Sequence, residues 1–289
     1  MLRGIGVQAL FGLLMAFPAF AQSEADSAQQ FLDSLRFREG QIAVSAAHAQ
    51  FKLGPGFRYL EAKDAQRVLE DFWGNPPDDT VLGLIVPSKT SLAEAESWAV
   101  VVTYSDEGYV SDEDAASIDY TEMLEEMQAG TEEENQAREQ AGYDRVELVG
   151  WAEAPHYDAS DKKLYWAKEL RFGETESNTV NYDIRVLGRH GYLSLNAIGD
   201  MQNMSEIQRG MQSLLPMAEF DSGYRYADFN ESTDKLASYG LAALVGGGLA
   251  AKTGLLAKIG ALLLAGKKVI VLIIAGLAAV IGRIFKKKN

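Results

Sequence analysis

The C-terminal end of the chain is the segment that most limits what the chain can fold into. Residues 235–289 contain nine Lys and Arg and no Asp or Glu, and most of the remaining residues are apolar. A basic, apolar segment of this kind is typical of a membrane anchor. All 41 acidic residues lie between residues 22 and 234, so the chain divides into an acidic body and a basic tail.

Two stretches of the tail are apolar enough to enter a bilayer. Tyr239–Leu264 is long enough to span a bilayer but contains two lysines, which are costly at the bilayer centre. Val269–Phe285 has fewer charged residues but is at the short limit for a span. The closing Lys286–Lys288 favours the cytoplasmic side. We therefore expect residues 236–285 to contact the lipid bilayer, with one crossing preferred and two left open.

The N-terminus has the pattern of a secretory signal peptide. Arg3 precedes the apolar run Gly4–Phe17, and Ala19-Phe20-Ala21 fits the small-x-small cleavage rule. Cleavage after Ala21 would leave an exported domain over residues 22–235 and a membrane anchor over 236–289. The alternative is an uncleaved anchor helix. Because the chain has no cysteine, disulfides and thiolate metal sites are excluded.

The body alternates strand and helix patterns. Helices interspersed with hairpin strands predict an α+β fold, mainly an antiparallel sheet with helices packed on it. Residues 22–35 and 222–238 are predicted to be spacers. Strands are predicted at 41–50, 56–60, 81–86, 98–104, 145–153, 163–172, 179–187 and 192–197, and helices at 62–73, at 120–127, from Thr131 onward and at 205–215.

The search for catalytic chemistry gives only one loop. His156 is the histidine nearest in sequence to carboxylates, namely Glu153 and Asp158, and histidine with a carboxylate suits general acid–base catalysis. Proline, tyrosine, aspartate and serine in the same loop are also ordinary turn residues. We predict no catalytic site and no cofactor, and we keep these three residues as the candidates an enzyme would use.

The acidic stretch YSDEGYVSDEDA, residues 104–115, resembles a calcium-binding loop around Gly108. The ligand positions of an EF-hand loop do not match, and a strand pattern precedes the stretch. We predict no metal site here; the acids nearest to one are Asp106, Asp112 and Asp114. The preferred interpretation is a turn at Gly108 followed by a cap, Ser111 to Asp114, for the next helix.

A resemblance rests on several segments of the body: DFWGNPP, VLGLIVP, SWAVVVTYSDEGYVSDEDAASIDY, LVGWAEAPHYD, KLYWAKEL, NYDIRVLGRHGYLSLNA and RYADFN. Together they resemble a bacterial family of membrane-anchored proteins, domain of unknown function 2167. The resemblance implies a Gram-negative source and an envelope location, and it brings no catalytic residue. By element order alone, the body also resembles the sandwich of the photosystem protein PsbP and the nuclear-transport factor Mog1.

Two functions of different class follow from these patterns. The first is a non-enzymatic binding or scaffolding domain, held on the inner membrane and facing the periplasm, with an envelope protein of unknown identity as its partner. The second is a hydrolase or transferase that uses His156 with a nearby carboxylate. Nucleic acid is not an expected partner, because an acidic body repels phosphate.

Overall fold

The structure is a computed structural model that describes residues 27–75, 77–94, 97–140, 144–175 and 177–246. It divides into two compact units, Met1–Leu35 and Arg36–Asn289. The described part of the first unit contains one helix, α1, at residues 27–33.

The second unit contains short and long strands in chain order. The long ones, β8 to β11, form the meander that the sequence predicts. The strands are β1 (Phe37–Arg38), β2 (Gln41–Val44), β3 (Ala49–Lys52), β4 (Phe57–Glu61), β5 (Gly83–Pro87), β6 (Ala99–Ser105), β7 (Tyr109–Ser111), β8 (Val146–Asp158), β9 (Lys163–Phe172), β10 (Thr179–Leu187), β11 (Tyr192–Asp200), β12 (Ala218–Phe220) and β13 (Leu236–Gly240).

The helices of this unit are α2 (Ala62–Gln66), which continues as a π-helical turn at Arg67–Phe72, α3 (Tyr120–Gln140), α4 (Met204–Leu214) and α5 (Leu241–Gly246). Eight strands form one antiparallel sheet in the order β1-β4-β5-β6-β11-β10-β9-β8. A three-stranded sheet, β12-β3-β2, and a parallel pair, β13-β7, complete the fold. An α+β fold built on a large antiparallel sheet is therefore confirmed.

The first face of the large sheet carries the main core. Alternate side chains of β4, β5, β6, β9, β10 and β11 point to this face and pack against the small sheet and α4, because a strand turns every second side chain the same way. Trp98 is 2% exposed there, and its Nε1 donates a hydrogen bond of 3.2 Å to Glu206 of α4. The large aromatic group is thus buried without leaving its polar atom unpaired.

The second face is covered by α3, α5 and the segment 226–228. Leu164, Trp166 and Leu187 of the sheet pack with Leu241 and Leu244 of α5. A smaller cluster joins β8 and β9 to α3 through Val146, Leu148, Leu170, Phe172, Leu124 and Met127. The large sheet therefore has helices over both of its faces.

Helix α3 also covers part of the sheet edge formed by β8. Asn135 Nδ2 donates to the Val146 carbonyl at 2.9 Å, and Asn135 Oδ1 accepts from the Val146 N–H at 2.7 Å. Gln128 Nε2 donates to the carbonyls of Leu148 and Val149. These amides take the place of a neighbouring strand and satisfy the backbone groups that an edge exposes.

Four element predictions need correction. Residues 41–50 form the hairpin β2-β3, whose turn places His48 in the left-handed region at φ 49°. The two helices predicted on either side of Thr131 are one helix, α3, because the Thr131 hydroxyl donates back to the Met127 carbonyl and no break is needed. Strand β8 continues through the predicted turn to Asp158, and residues 236–238 of the predicted spacer form part of β13.

The start of the predicted membrane tail belongs to the fold of the body. Residues 236–240 pair with β7, and Leu241, Leu244 and Val245 of α5 are buried. Among the residues that the structure describes, no helix is long and apolar enough to cross a membrane. The rest of the first predicted span, all of Val269–Phe285 and the predicted signal peptide at residues 1–21 lie outside the described residues.

Candidate functional site

The three catalytic candidates lie on or near the end of β8, each with its own surroundings. His156 is exposed, and its ring lies 5.1 Å from the ring of Tyr165. Glu153 Oε2 accepts a hydrogen bond of 2.9 Å from Gln208 of α4. Asp158 Oδ1 accepts from the Ser160 N–H, the Ser160 hydroxyl and the Asp161 N–H, which lower its pKa. Asp158 closes the β8–β9 turn, which is a structural task.

The three metal candidates also differ in their surroundings. Asp106 is exposed at the end of β6, whereas Asp112 and Asp114 each bind groups from other parts of the chain. The described residues contain no group of three or more His, Asp or Glu side chains placed to hold a metal ion. The acidic stretch instead contacts the segment that leads to the apolar tail.

Backbone contacts join the acidic stretch to this C-terminal segment. Strand β13 runs parallel to β7, with Leu236 opposite Tyr109 and Gly240 opposite Ser111. The Tyr109 N–H donates to the Lys235 carbonyl at 2.8 Å. We call the contacts between residues 107–114 and 235–246 the clasp. It forms because β7 presents an edge that β13 can pair with.

Two acidic side chains of the stretch reinforce the clasp. The Tyr239 hydroxyl donates to Glu107 Oε2 at 2.6 Å. The two carboxylate oxygens of Asp114 accept from the first N–H groups of α5, those of Leu241 at 3.1 Å and Ala242 at 3.2 Å. These N–H groups have no partner within the helix, so Asp114 caps a helix that lies more than a hundred residues further along the chain.

The prediction that Ser111 to Asp114 cap the next helix is therefore corrected. The Ser111 hydroxyl accepts only from the Glu113 N–H, at 3.3 Å. Helix α3 is capped by Asp119, whose Oδ1 accepts from the N–H groups of Thr121 and Glu122 at 2.9 and 3.1 Å. The sequence indicated a capping aspartate correctly but not which helix it caps, because the partner lies far away in the sequence.

Asp112 lies beside the clasp, and its carboxylate accepts hydrogen bonds from three side chains. It accepts from the Tyr157 hydroxyl at 2.6 Å, from Lys162 Nζ at 2.7 Å and from the Tyr226 hydroxyl at 3.0 Å. Burial opposes ionisation of this carboxyl, but the three hydrogen bonds outweigh it and hold the pKa of Asp112 below its usual value. Asp112 thereby ties β7 to the β8–β9 hairpin and to the segment 226–228.

Aromatic stacking supports the same region. The Tyr109 ring lies 4.3 Å from that of Tyr226 and 3.9 Å from that of Phe229, both in stacked geometry. The Lys162 ammonium lies 4.9 Å from the Tyr226 ring centroid. The pKa of the Tyr226 hydroxyl is raised, first by burial and then by its hydrogen bonds. Tyr226 therefore stays neutral and continues to donate at any physiological pH.

Replacing Asp114 by alanine tests the cap on α5. We expect the free energy of unfolding to fall by about 1 kcal/mol, because two helix N–H groups lose their acceptor. Chemical denaturation of the full chain in detergent measures this loss. Glu113→Ala is the matched control, because Glu113 is an exposed acid next to it in the chain. Equal losses in the two variants would show that the cap does not stabilise the protein.

A second polar cluster lies on the second face of the large sheet. Asp183 of β10, 3% exposed, accepts from Arg185 Nη1 at 3.0 Å and from Asn196 Nδ2 at 2.9 Å. Lys168 Nζ of β9 lies 3.9 Å from the other carboxylate oxygen. The Arg185 guanidinium stands over the Trp166 ring, 5.0 Å from its centroid. We call these five residues the sheet-face cluster.

Sequence reasoning missed the sheet-face cluster. Its members fall within strands predicted from apolar patterns, where single charged residues look like solvent-facing positions. The alternation in KLYWAKEL and NYDIRVL gave a usable signal, because Trp166, Lys168, Asp183 and Arg185 share one face once the two strands pair. Only the register shows that charges on neighbouring strands meet.

A groove of about 870 Å³ lies between α3 and the ends of β8 and β9. Its two arginines are already engaged, Arg145 with Glu132 and Glu139, and Arg171 with Glu147. These pairs are exposed, so each contributes little to stability. The groove is therefore an acidic surface whose cations are neutralised.

Comparison with known proteins identifies a family and a distant fold likeness. A family model described as "Protein of unknown function (DUF2167)" matches residues 36–278. No curated protein matches the chain. The solution structure of cyanobacterial PsbP (CyanoP) from Synechocystis sp. PCC 6803 is similar at 11% identity and a TM-score of 0.36, covering 65% of this chain and 93% of that one.

The Ran-binding protein Mog1p of Saccharomyces cerevisiae is similar to the same degree. Its crystal structure matches at 11% identity and a TM-score of 0.34, covering 65% of this chain and 96% of that one. Likeness at this level does not transfer a ligand, a partner or an activity.

Proposed function

The chain belongs to the family of proteins of unknown function DUF2167, and from this premise we propose that it is a non-enzymatic binding or scaffolding protein of the bacterial envelope. Its body faces the periplasm, and its apolar tail holds it on the inner membrane. The body is a sandwich of the PsbP and Mog1 kind, a proposal that rests on the order of its helices and strands.

The clasp is the observation that carries this proposal. It fixes residues 235–246, immediately before the apolar sequence, to β7 and to the acidic stretch by strand pairing, a helix cap and the bond between Tyr239 and Glu107. A flexible linker would let the body rotate freely above a membrane. A paired and capped segment instead sets the direction in which the tail leaves the body. A scaffold that presents one surface to a partner needs this control.

The arrangement of charge agrees with a body held above a membrane. The tail carries nine basic residues and no acidic one, whereas residues 22–234 carry all 41 acidic residues and 17 basic ones. Anionic lipid attracts the first and repels the second. In the alternative, His156 would act with a carboxylate that already has other partners, since Asp158 accepts hydrogen bonds within the β8–β9 turn and Glu153 accepts one from Gln208.

Fractionation of cells of a Gram-negative host tests the anchor. We expect the full chain to remain in the membrane pellet after alkaline carbonate, and a chain that ends at Gly246 to be released from the periplasm by osmotic shock. The physical reason is that residues 247–289 supply the apolar length that a bilayer requires. Immunoblots of the two fractions give the result. A full chain found in the soluble fraction would refute the anchor.

Co-purification tests the binding role. Detergent-solubilised membranes that contain the tagged full chain should yield the same envelope protein after cross-linking in repeated preparations. The Gly108→Ala variant, in which the clasp is opened, is the matched comparison and should recover less of that protein. Repeated preparations without any partner would count against a scaffold, whatever the result for the anchor.

A further inference from the structure

The sheet-face cluster has more hydrogen-bond donors than acceptors. Its one carboxylate, Asp183, accepts from Arg185 and Asn196 and lies near Lys168. The cluster holds two cations and one anion, so its net charge is positive although the body around it is strongly acidic. A positive cluster that is largely removed from water calls for an acceptor that the side chains of the cluster do not supply.

The donors without an acceptor can be named. Lys168 Nζ has no hydrogen-bond acceptor among the residues that the structure describes, and neither do Arg185 Nε and Nη2. Trp166 is 1% exposed, and its Nε1 has no partner within the same part of the chain. Burying an indole N–H without a partner is unfavourable because its hydrogen bond to water is lost, so it points to a missing acceptor.

Strand register brings these donors to one place. Trp166 pairs with Asp183, which pairs with Asn196, so the three side chains lie in one row across β9, β10 and β11. Lys168 and Arg185 lie two residues from this row, on opposite sides of it because β9 and β10 are antiparallel. Both point to the face of Asp183, where their side chains converge on its carboxylate. These positions are held by the paired backbones of three adjacent strands, which makes the arrangement rigid.

We propose that this face of the sheet binds a small ligand through an anionic oxygen group, a phosphate or a carboxylate, held by Lys168, Arg185 and the Trp166 indole N–H. Asp183 is a positioning residue: it holds the Arg185 fork and attracts the Lys168 ammonium, and the ligand takes the remaining donors. Arginine offers two parallel N–H groups to such an oxyanion, and lysine adds a point charge. The site borders the clasp, because Trp166 packs with Leu241 and Leu244 of α5, but its five residues lie outside the two clasp segments.

The test follows the Trp166 indole signal of the full chain in detergent. The protein carries ¹⁵N only in its four tryptophans, and Trp166→Phe assigns the signal. Sodium phosphate and sodium acetate are titrated separately at constant ionic strength. We expect the Trp166 signal to shift saturably with one or both anions, while the Trp98 signal, from the opposite core, stays in place. The anion that binds more tightly shows whether the site takes a phosphate or a carboxylate.

Variants give the test its specificity. Arg185→Gln and Lys168→Gln should each weaken binding at least about tenfold, because a charge-assisted hydrogen bond is lost. Arg171→Gln is the matched control, since Arg171 is on the same strand as Lys168 and carries the same charge but is exposed; it should leave binding unchanged. Arg185→Lys keeps the positive charge but cannot offer two parallel N–H groups to the anion. It tests the site if the Arg185→Gln variant does not fold.

Two results would overturn the proposal. One is the absence of a saturable Trp166 shift with either anion up to about 50 mM, a range that covers even millimolar affinities. The other is binding that is equally strong in the Arg185 and Lys168 variants and the Arg171 control, which would mean non-specific attraction. Neither result affects the anchor, because fractionation measures that independently.

Discussion

Replacing Gly108 by alanine is expected to open the clasp and to lower the free energy of unfolding by about 2–4 kcal/mol. Gly108 has φ 123°, a conformation that other residues rarely adopt. A Cβ atom there would lie 2.8 Å from the Ala237 nitrogen and 2.8 Å from the Lys235 oxygen. Both are backbone atoms, so the clash cannot be relieved by a side-chain rotation. Strand β13 has to move away from β7.

Limited trypsin digestion of the full chain in detergent measures the opening. In the Gly108→Ala variant we expect faster cleavage after Lys235, because Lys235 precedes β13 and its carbonyl loses the Tyr109 N–H. Denaturant titration gives the loss in stability. Gly130→Ala is the control, since Gly130 lies within α3 with no atom near its added Cβ. That variant should gain up to about 1 kcal/mol.

A Gly108→Ala protein that resists trypsin as well as the unaltered chain does would contradict the clasp. The same conclusion would follow if Gly130→Ala destabilised the protein as strongly. A loss in stability without faster cleavage after Lys235 would place the strain elsewhere than between β7 and β13.

The second large effect is expected from Asp112→Ala. The substitution leaves the Tyr157 hydroxyl and the Lys162 ammonium without their acceptor, whereas the Tyr226 hydroxyl keeps the Val110 carbonyl at 3.0 Å. Each of these donors is partly removed from water, so we expect a loss of about 2–4 kcal/mol. Denaturant titration measures the loss. Asp106→Ala is the matched control, because Asp106 is an exposed acid of the same stretch, and it should change stability by less than about 0.5 kcal/mol.

The stability that Asp112 contributes should also depend on pH. The pKa of its carboxyl is lower in the folded protein than in the unfolded chain, because the bonds from Lys162, Tyr157 and Tyr226 outweigh the effect of burial. A depressed folded pKa means that the contribution is complete above the unfolded value, near 4, and is lost as the pH falls through the folded value. When the pH is lowered from about 6 to about 3, the Asp112→Ala protein should therefore lose less of its free energy of unfolding than the unaltered protein does. An identical acid dependence would contradict this assignment.

The fold was predicted well where local sequence patterns are strong. Elements that depend on contacts between residues far apart in the chain could not be predicted. The meander of β8 to β11 could be predicted because its strand patterns, such as the alternating TVNYDIRVL of β10, are separated by turn-forming residues, although the first turn is shorter than predicted. The hairpin β2-β3 was missed because its turn, SAAH, lacks the glycine or asparagine that marks most tight turns. Nothing local near Leu236 shows that it pairs with Tyr109, more than a hundred residues earlier.

The two functional regions could be predicted only in part, for the same reason. The acidic stretch was recognised as a distinctive sequence, but its partners Tyr239, Leu241 and Ala242 lie far away in the chain, so its role required the structure. The sheet-face cluster needed the strand register, since Lys168 and Asp183 look like separate surface charges until β9 and β10 are paired.

The covered edge at β8 determines how a partner can approach the large sheet. Asn135 and Gln128 form hydrogen bonds with backbone groups of Val146, Leu148 and Val149. The pairing of β8 with β9 is also irregular between Leu148 and His156. The opposite edge, β1, is two residues long. An extended peptide that adds itself as a ninth strand would find no continuous ladder to pair with. A partner of the kind proposed above would therefore have to contact the side chains of this sheet, and the blocked edges protect the sheet against pairing with unrelated strands.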